Sequence, residues 1–416
     1  MIPDPLEQKM VRMPVPSRIG PTSTQTRIRS IDAVRGFALF GVLLVNMFNF
    51  GAYSPEWTGT ADQAFSATMH LLFETKSLRL FSLLFGFGFA LQMVRVASLD
   101  DGSIGFYFRR LFFLFLFGMA HALFYDGDIL MEYAILGLVL VLFSKVPNLV
   151  LLALACLLLA AFPVGNLVHS PGEEEVAMQL EDEWPLEVLR AGHPYLGSVM
   201  DVFEENIAAI PPQIWSGLHQ PESSLTIFAM LLLGFFIGRS RIIHEKESNI
   251  FLLKRVCYWG LGTGIAAAVL EWWLSRQFGY SVYLVNQSTE RVRVLGDALF
   301  ACGSTAMALG YGAGIVLLAR RQEWQVVLKP LTNAGRMALT VYLSGTLMFT
   351  LLFYGWGFGQ LYRLGPAATT AFAVLFFAVQ LMFCNWWLQR FRFGPAEWLW
   401  RSLTYLKFQP MRLNRP

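Results

Sequence analysis

Apolar residues gather in ten runs, at about 33–51, 78–96, 109–126, 128–144, 147–168, 225–241, 255–274, 294–318, 337–355 and 366–388, with short polar or Gly- and Pro-bearing stretches between them. A helix needs about 20 residues to cross the hydrocarbon core of a bilayer, and each run is near that length. The pattern predicts an all-α, polytopic membrane protein with about ten transmembrane helices. Glu132 interrupts the fourth run, and only Asp126-Gly127-Asp128 separates it from the third, so these two form a tight helical hairpin. Two further stretches are amphipathic. The segment from Asp62 to Glu74 is too polar to span and reads as lying on the outer surface. Residues 394–407 place Trp398, Leu399, Leu403 and Leu406 on one helical face behind Pro395, which predicts an interfacial helix on the inner leaflet.

Composition sharpens this. The 416 residues are 55% apolar and only 15% charged, against roughly 25% charge in soluble domains, which argues against an ordinary cytosolic enzyme. Net charge is +3, and no Lys/Arg block interleaved with aromatics offers a nucleic-acid surface. Cys156, Cys257, Cys302 and Cys384 all lie in apolar stretches and read as buried free thiols. The basic residues Arg27, Arg29, Arg95, Arg109, Arg110, Lys145, Arg239, Arg241, Lys246, Lys254, Arg255, Arg320, Arg321, Lys329, Arg390 and Arg392 all fall on one side of ten crossings. That side is cytoplasmic by the positive-inside bias, and both termini lie there. Residues 170–224 carry eleven Asp or Glu against the single Arg190 and belong outside. The expected organisation is a solvated cytoplasmic tail at 1–30 with no signal-peptide core, a five-helix half at 31–169, an acidic extracytoplasmic loop at 170–224, and a second five-helix half with the interfacial helix at 225–416.

Ionisable residues are costly inside a bilayer, so they mark the candidate chemistry. At the inner mouth of the first helix stand Arg29, Asp32 and Arg35. Asp32 and Arg35 are three apart and positioned to pair; the arginines near a helix N-terminus also suit an anion. Deeper in this helix, Asn46 and Asn49 share a face, as helix-joining amides do. The second cluster is His121, Asp126, Asp128, Glu132 and Tyr133. His121 lies about 16 Å along the helix axis from Arg110, either as a packed neutral imidazole or as a general base oriented by Asp128. The third is His70, Glu74, Lys76 and Arg79, basic residues on the acidic side that carboxylates or a cavity must hold. Arg336 sits at the inner mouth of the ninth run, where it joins Arg35 around an anionic ligand. Arg390, Arg392, Glu397 and Arg401 make a basic inner-leaflet patch. The Gly-x-Gly patterns at Gly86, Gly260 and Gly310 follow no strand and read as packing glycines.

Arg29-Ser-Ile-Asp32-Ala-Val-Arg35-Gly36 with its continuation to Asn46, Lys76-Ser-Leu-Arg79 with its continuation to Gly88, Arg109-Arg110-Leu, Gly118-Met-Ala-His121 and Gly127-Asp128-Ile-Leu together resemble the YeiB-like bacterial membrane protein family. Gly335-Arg336-Met-Ala-Leu-Thr-Val-Tyr342 and Phe391-Arg392-Phe-Gly394-Pro395-Ala-Glu397-Trp398 through Tyr405 resemble the domain of unknown function 418 that closes such proteins. The N-terminal half is similar to the transmembrane acyltransferases typified by heparan-α-glucosaminide N-acetyltransferase. That resemblance implies a cytosolic acyl-CoA co-substrate, with no tightly bound cofactor, and a sugar-like or lipid-linked acceptor at the outer face of a bacterial cytoplasmic membrane. Those enzymes carry a histidine after the first helix in a His-Ala-x-Trp-x-Gly run; here Ser54-Pro-Glu56-Trp57-Thr-Gly59 offers Glu56 instead.

Two functions are therefore weighed. In the first, Arg35, Asp32 and Arg336, with Arg29, receive the CoA phosphates, and His121 with Asp128 deprotonates a hydroxyl or amine, all converging on one polar chamber. In the second, the same buried His, Asp and Arg form the proton or anion path of a transporter. A scaffold that binds a partner through its acidic loop is the third reading.

Overall fold

A computed structural model describes residues 28–51, 57, 59–97, 103–168, 190, 193–219, 221–240, 248–279 and 290–413. Glu56, the tail up to residue 27 and residues 169–189 of the acidic loop lie outside them. Among the described residues the regular elements are helices, joined by turns and loops, with one isolated bridge between Phe391 and Arg412. The helices are α1 (Arg29–Gly51), α2 (Thr60–Leu72), α3 (Lys76–Ala97), α4 (Ser103–Ala122), α5 (Leu130–Leu142), α6 (Asn148–Val168), α7 (Val199–His219), α8 (Pro221–Arg239), α9 (Ser248–Phe278), α10 (Glu290–Ala319), α11 (Gln322–Arg336), α12 (Ala338–Phe353), α13 (Pro366–Trp387) and α14 (Pro395–Tyr405).

All ten apolar runs fall on helices. Arg29–Phe48, Arg291–Ala319 and Pro366–Trp387 are long and apolar enough to cross a membrane, while Leu130–Leu142, Asn148–Ala161 and Ser224–Arg239 are apolar but shorter. The run at 337–355 is not a free-standing helix. It is the second limb of a bent helix pair, a broken span or a re-entrant loop, in which α11 and α12 meet at 80° after Arg336. The hydrophobic pattern does not show α11, because its basic and polar residues read as a loop.

Small residues set how closely these helices approach. A Cβ at Gly335 would collide with the Asp32 carbonyl and one at Gly36 with the Leu331 carbonyl, so α1 and α11 cross backbone to backbone. Gly260, Gly264, Gly303 and Gly310 do the same between α9 and α10, and Gly86 and Gly234 between α3 and α8. Gly88 and Gly262, by contrast, face open space. The core between the helices is aromatic and aliphatic, with Met47, Phe87, Phe89, Tyr107, Tyr133, Phe235, Phe349 and Phe353 buried. The thiols depart from expectation: only Cys384 is buried, whereas Cys156 and Cys302 are exposed and Cys257 half-buried. They sit on outward helix faces, where a weakly polar thiol needs no partner.

The amphipathic stretch at 394–407 forms a helix, α14, started by Pro395 behind Gly394 and ended by Leu406 in the left-handed region, φ 52°. Its polar side faces the protein, with Glu397, Ser402 and Thr404 buried, while Leu399, Leu406 and the following Phe408 are exposed.

Candidate functional site

His121 lies in the last turn of α4. The chain reverses at once, with the amides of Phe124 and Tyr125 both donating to the His121 carbonyl. This returns Asp128 alongside the ring seven residues later. Nδ1 of His121 lies 2.7 Å from Asp128 Oδ1. The second oxygen, Oδ2, accepts the Met131 N–H at 2.9 Å and so caps the start of α5. Asp128 therefore ends one helical hairpin and orients the imidazole with the same carboxylate. Gly118, one turn before His121, is required here: a Cβ would meet Met131 N and Asp128 Oδ2.

The other ring nitrogen reaches across the molecule. Nε2 of His121 lies 2.8 Å from Thr346 Oγ1 of α12, with the Tyr342 ring 4.8 Å from the imidazole and Tyr125 edge-on at 6.0 Å. A carboxylate on Nδ1 fixes the proton there and leaves Nε2 to accept from the Thr346 hydroxyl. Carboxylate, imidazole and hydroxyl thus form one line, the arrangement in which a base is held ready for a hydroxyl proton. All three residues are buried. Thr346 carries no signal of its own in the sequence, since a threonine in an apolar helix is ordinary. Glu132 and Tyr133, expected beside His121, turn away along α5: Glu132 accepts from Ser224 at 2.7 Å, and the Tyr133 hydroxyl bonds Ser82 at 2.8 Å.

The inner-mouth residues form a second group. Arg35 binds Asp32 at 2.9 Å and donates to the Gly335 carbonyl at 3.3 Å; the neighbouring Arg336 donates to Asn333 at 3.4 Å. The close crossing of α1 and α11 brings Asp32, Arg35 and Arg336 together. Arg29 is exposed at the start of α1, and Asn46 is half-buried farther along the same helix. These residues do not share a chamber with His121. Eight residues of α12, about 12 Å of rise, separate Ala338 from Thr346, and the contact of α1 with α12 over that length contains the buried Leu39, Leu43, Leu339 and Tyr342.

Glu397 belongs with this end rather than with a surface patch. Its carboxylate accepts the Leu339 N–H at 2.6 Å, the Thr340 N–H at 3.0 Å and the Thr340 hydroxyl at 2.6 Å. It caps α12, the helix that carries Thr346. Burial pushes its carboxyl pKa above the usual carboxylate range, while the bonds from Thr340 and Leu339 oppose that shift. Trp400 Nε1 donates to the Arg110 carbonyl at 3.0 Å, and Arg109 Nε donates to the Thr404 carbonyl at 3.2 Å. One short helix, α14, thereby grips both α4 and α12, whose far parts meet as His121 and Thr346.

Lys76 and Arg79 head a third group that is larger than the sequence indicates. His70 bridges two carboxylates, Glu74 at 2.6 Å and Glu271 of α9 at 2.7 Å. Lys76 donates to the His70 carbonyl at 2.7 Å, and Arg79 donates to the Ala301 carbonyl and, at 2.7 Å, to the Thr305 hydroxyl. Both cations lie beside the Phe300 ring. Lys76, Arg79, Glu271 and Asp297 are each less than 5% exposed. Thr75, between Glu74 and Lys76, holds a positive φ of 54°, a strained geometry for a β-branched residue. Glu271 and Asp297 could have been found, because each is an acid inside an apolar run. Burial alone would push His70 down, but the hydrogen bonds and charges of Glu271 and Glu74 outweigh it and raise the imidazole to about 9.

Comparison with known proteins follows this geometry. The family described as Protein of unknown function (DUF418) matches residues 237–407. Over 421 aligned residues the chain is 34% identical to the Uncharacterized protein YxaH of Bacillus subtilis (strain 168), covering 95% of this chain and 98% of that one. It is 30% identical over 396 residues to the Uncharacterized protein YeiB of Escherichia coli (strain K12), covering 90% and 95%.

Proposed function

Since this chain belongs to the family that includes YxaH and YeiB, with a DUF418 region at its C-terminal end, we propose that it is a bacterial cytoplasmic-membrane acyltransferase. In this reading it moves an acyl group from cytosolic acyl-CoA to a sugar-like hydroxyl or amine at the outer face. The observation that carries the proposal is the line from Asp128 through His121 to a hydroxyl oxygen, at 2.7 and 2.8 Å. His121 Nε2 takes the acceptor proton, the acceptor oxygen or nitrogen bonds to the acyl carbon, and the carbon–sulfur bond breaks, releasing the CoA thiol with a proton. Asp128 holds the tautomer and stabilises the imidazolium that forms. Arg35 and Arg336 supply positive charge for the CoA phosphates at the opposite end of α12. The acyl arm must then pass along α12, where the buried Leu39, Leu43, Leu339 and Tyr342 have to part to admit it.

The test is acyl-CoA turnover by purified protein in detergent, with a panel of sugar acceptors. Wild type turns over, His121→Ala falls by roughly 10²–10⁴-fold, the range for a lost general base, and Asp128→Asn falls less. Equal turnover in wild type and His121→Ala removes His121 from the mechanism.

One observation favours a second reading, a proton path in a transporter: His70 bridges Glu74 and Glu271 beside the buried Lys76 and Arg79. Proton-coupled uptake by sealed vesicles, without acyl-CoA turnover, is the outcome that selects it.

A further inference from the structure

Thr346 departs from the habit of a helical threonine. Thr263, Thr305, Thr332 and Thr404 each turn their hydroxyl to the carbonyl four residues earlier in their own helix, the usual outlet for such a group. The Thr346 hydroxyl instead leaves α12 and meets His121 Nε2 at 2.8 Å. A neutral imidazole with its proton on Nδ1 has one acceptor nitrogen, and this hydroxyl fills it. Another hydroxyl reaches that nitrogen only after Thr346 has given up its place. Asp128 holds the far side of the ring at 2.7 Å, and Asp128, His121 and Thr346 are all buried. One turn before Thr346 on the same face of α12, Tyr342 sets its ring 4.8 Å from the imidazole, and its buried hydroxyl has no acceptor for its proton.

A hydroxyl whose proton is aimed at a carboxylate-oriented imidazole is an activated nucleophile. We propose that Thr346 itself accepts the acyl group, so that transfer runs through an acyl-threonine ester. The inference rests on the acyl-transfer function and divides that transfer into two steps. In the first, Thr346 Oγ1 bonds to the thioester carbon, His121 Nε2 takes the hydroxyl proton, the carbon–sulfur bond breaks, and the proton passes to the departing CoA thiolate. In the second, the acceptor's hydroxyl or amine gives its proton to Nε2, its oxygen or nitrogen bonds to the acyl carbon, the carbon–Oγ1 bond breaks, and the proton returns to Oγ1. The Tyr342 hydroxyl, its proton unspent, is a donor beside the ring for the oxygen that gains charge in each step. Burial keeps water from the ester between the steps. The two substrates need never meet in the packed interior, because CoA leaves before the acceptor arrives.

The experiment mixes full-length protein in neutral detergent with acetyl-CoA and, separately, with p-nitrophenyl acetate, in each case without acceptor. Intact and peptide masses are read after an acid quench. Wild type is expected to gain a single acetyl group on Thr346 and to release about one equivalent of thiol or nitrophenol in a burst. Thr346→Ser keeps the adduct. Thr346→Val, which matches the shape without the hydroxyl, loses it, and its transfer from acetyl-CoA to the sugar acceptors falls by at least roughly 10³-fold. Should Thr346→Val fold poorly, the position of the adduct in wild type decides: acetyl on any other residue overturns the proposal. An adduct on Thr346 from p-nitrophenyl acetate but not from acetyl-CoA keeps the nucleophile and removes CoA as the donor. Equal transfer from acetyl-CoA by wild type and Thr346→Val leaves acyl transfer standing and overturns the acyl-threonine. Absence of an adduct in wild type with both donors overturns it as well.

Discussion

The histidines show how much a side chain's role depends on what closes around it. His121 and His70 both touch carboxylates, yet only His121 pairs one carboxylate with one hydroxyl; His70 touches carboxylates through both ring nitrogens. Two acceptors favour the doubly protonated ring, which is why His70 is raised to about 9. The sign of the resulting stability follows. A histidine whose folded value exceeds its unfolded value of about 6.5 stabilises the fold fully below that pH, and the contribution is lost as pH climbs through about 9. The unfolding midpoint in detergent is therefore expected to fall between pH 6.5 and 9.5, and the slope to flatten in His70→Gln. An unchanged slope in that variant would place the pH dependence elsewhere. The sequence showed His70 and Glu74 one helical turn apart, but Glu271 lies 201 positions away from His70, and no local pattern announces that pairing.

Helices here are set by contact as much as by hydrophobicity. Gly335 and Gly36 let α1 and α11 touch along their backbones, whereas Gly262 of α9 faces open space. Gly335→Leu is expected to lower stability by about 1–3 kcal/mol through overpacking, while Gly262→Ala raises it by roughly 0.5–1 kcal/mol through helix propensity; thermal unfolding of the pair checks both. The ten apolar runs were legible as helices because a spanning segment must satisfy its own backbone and present apolar side chains outward. The break at Arg336 was not, since α11 is polar on one side and has exposed Trp324, Val326 and Val327 on another, a pattern that serves a loop or a surface helix equally well. Sequence pattern likewise showed α14 as amphipathic without showing which partner its polar face would meet. Glu397 answers that by capping α12.

At the scale of the whole molecule, loops and short helices tie distant helices together at both ends. At one, Arg35 of α1 bonds the Gly335 carbonyl of α11, and Arg110 of α4 meets Trp400 of α14. At the other, Arg190 donates to the carbonyls of Leu361 and Gly359, Gly355 N–H bonds the Tyr195 carbonyl, and Asn206 joins Tyr195 to the turn after His121. In a variant lacking native cysteines, Lys407→Cys and Arg321→Cys are expected to react with an impermeant thiol reagent from the cytoplasmic side, and Phe358→Cys from the opposite side; labelling of all three from one side would undo the orientation. What the sequence alone determined is the all-helical class and the position of each apolar helix, because these follow from local composition and from the cost of exposing backbone to hydrocarbon. Only the tertiary structure decided that Thr346 completes the His121 line, that Glu271 meets His70, and that Glu397 caps α12. Those are meetings between side chains far apart along the chain, fixed by how glycine-lined helices cross.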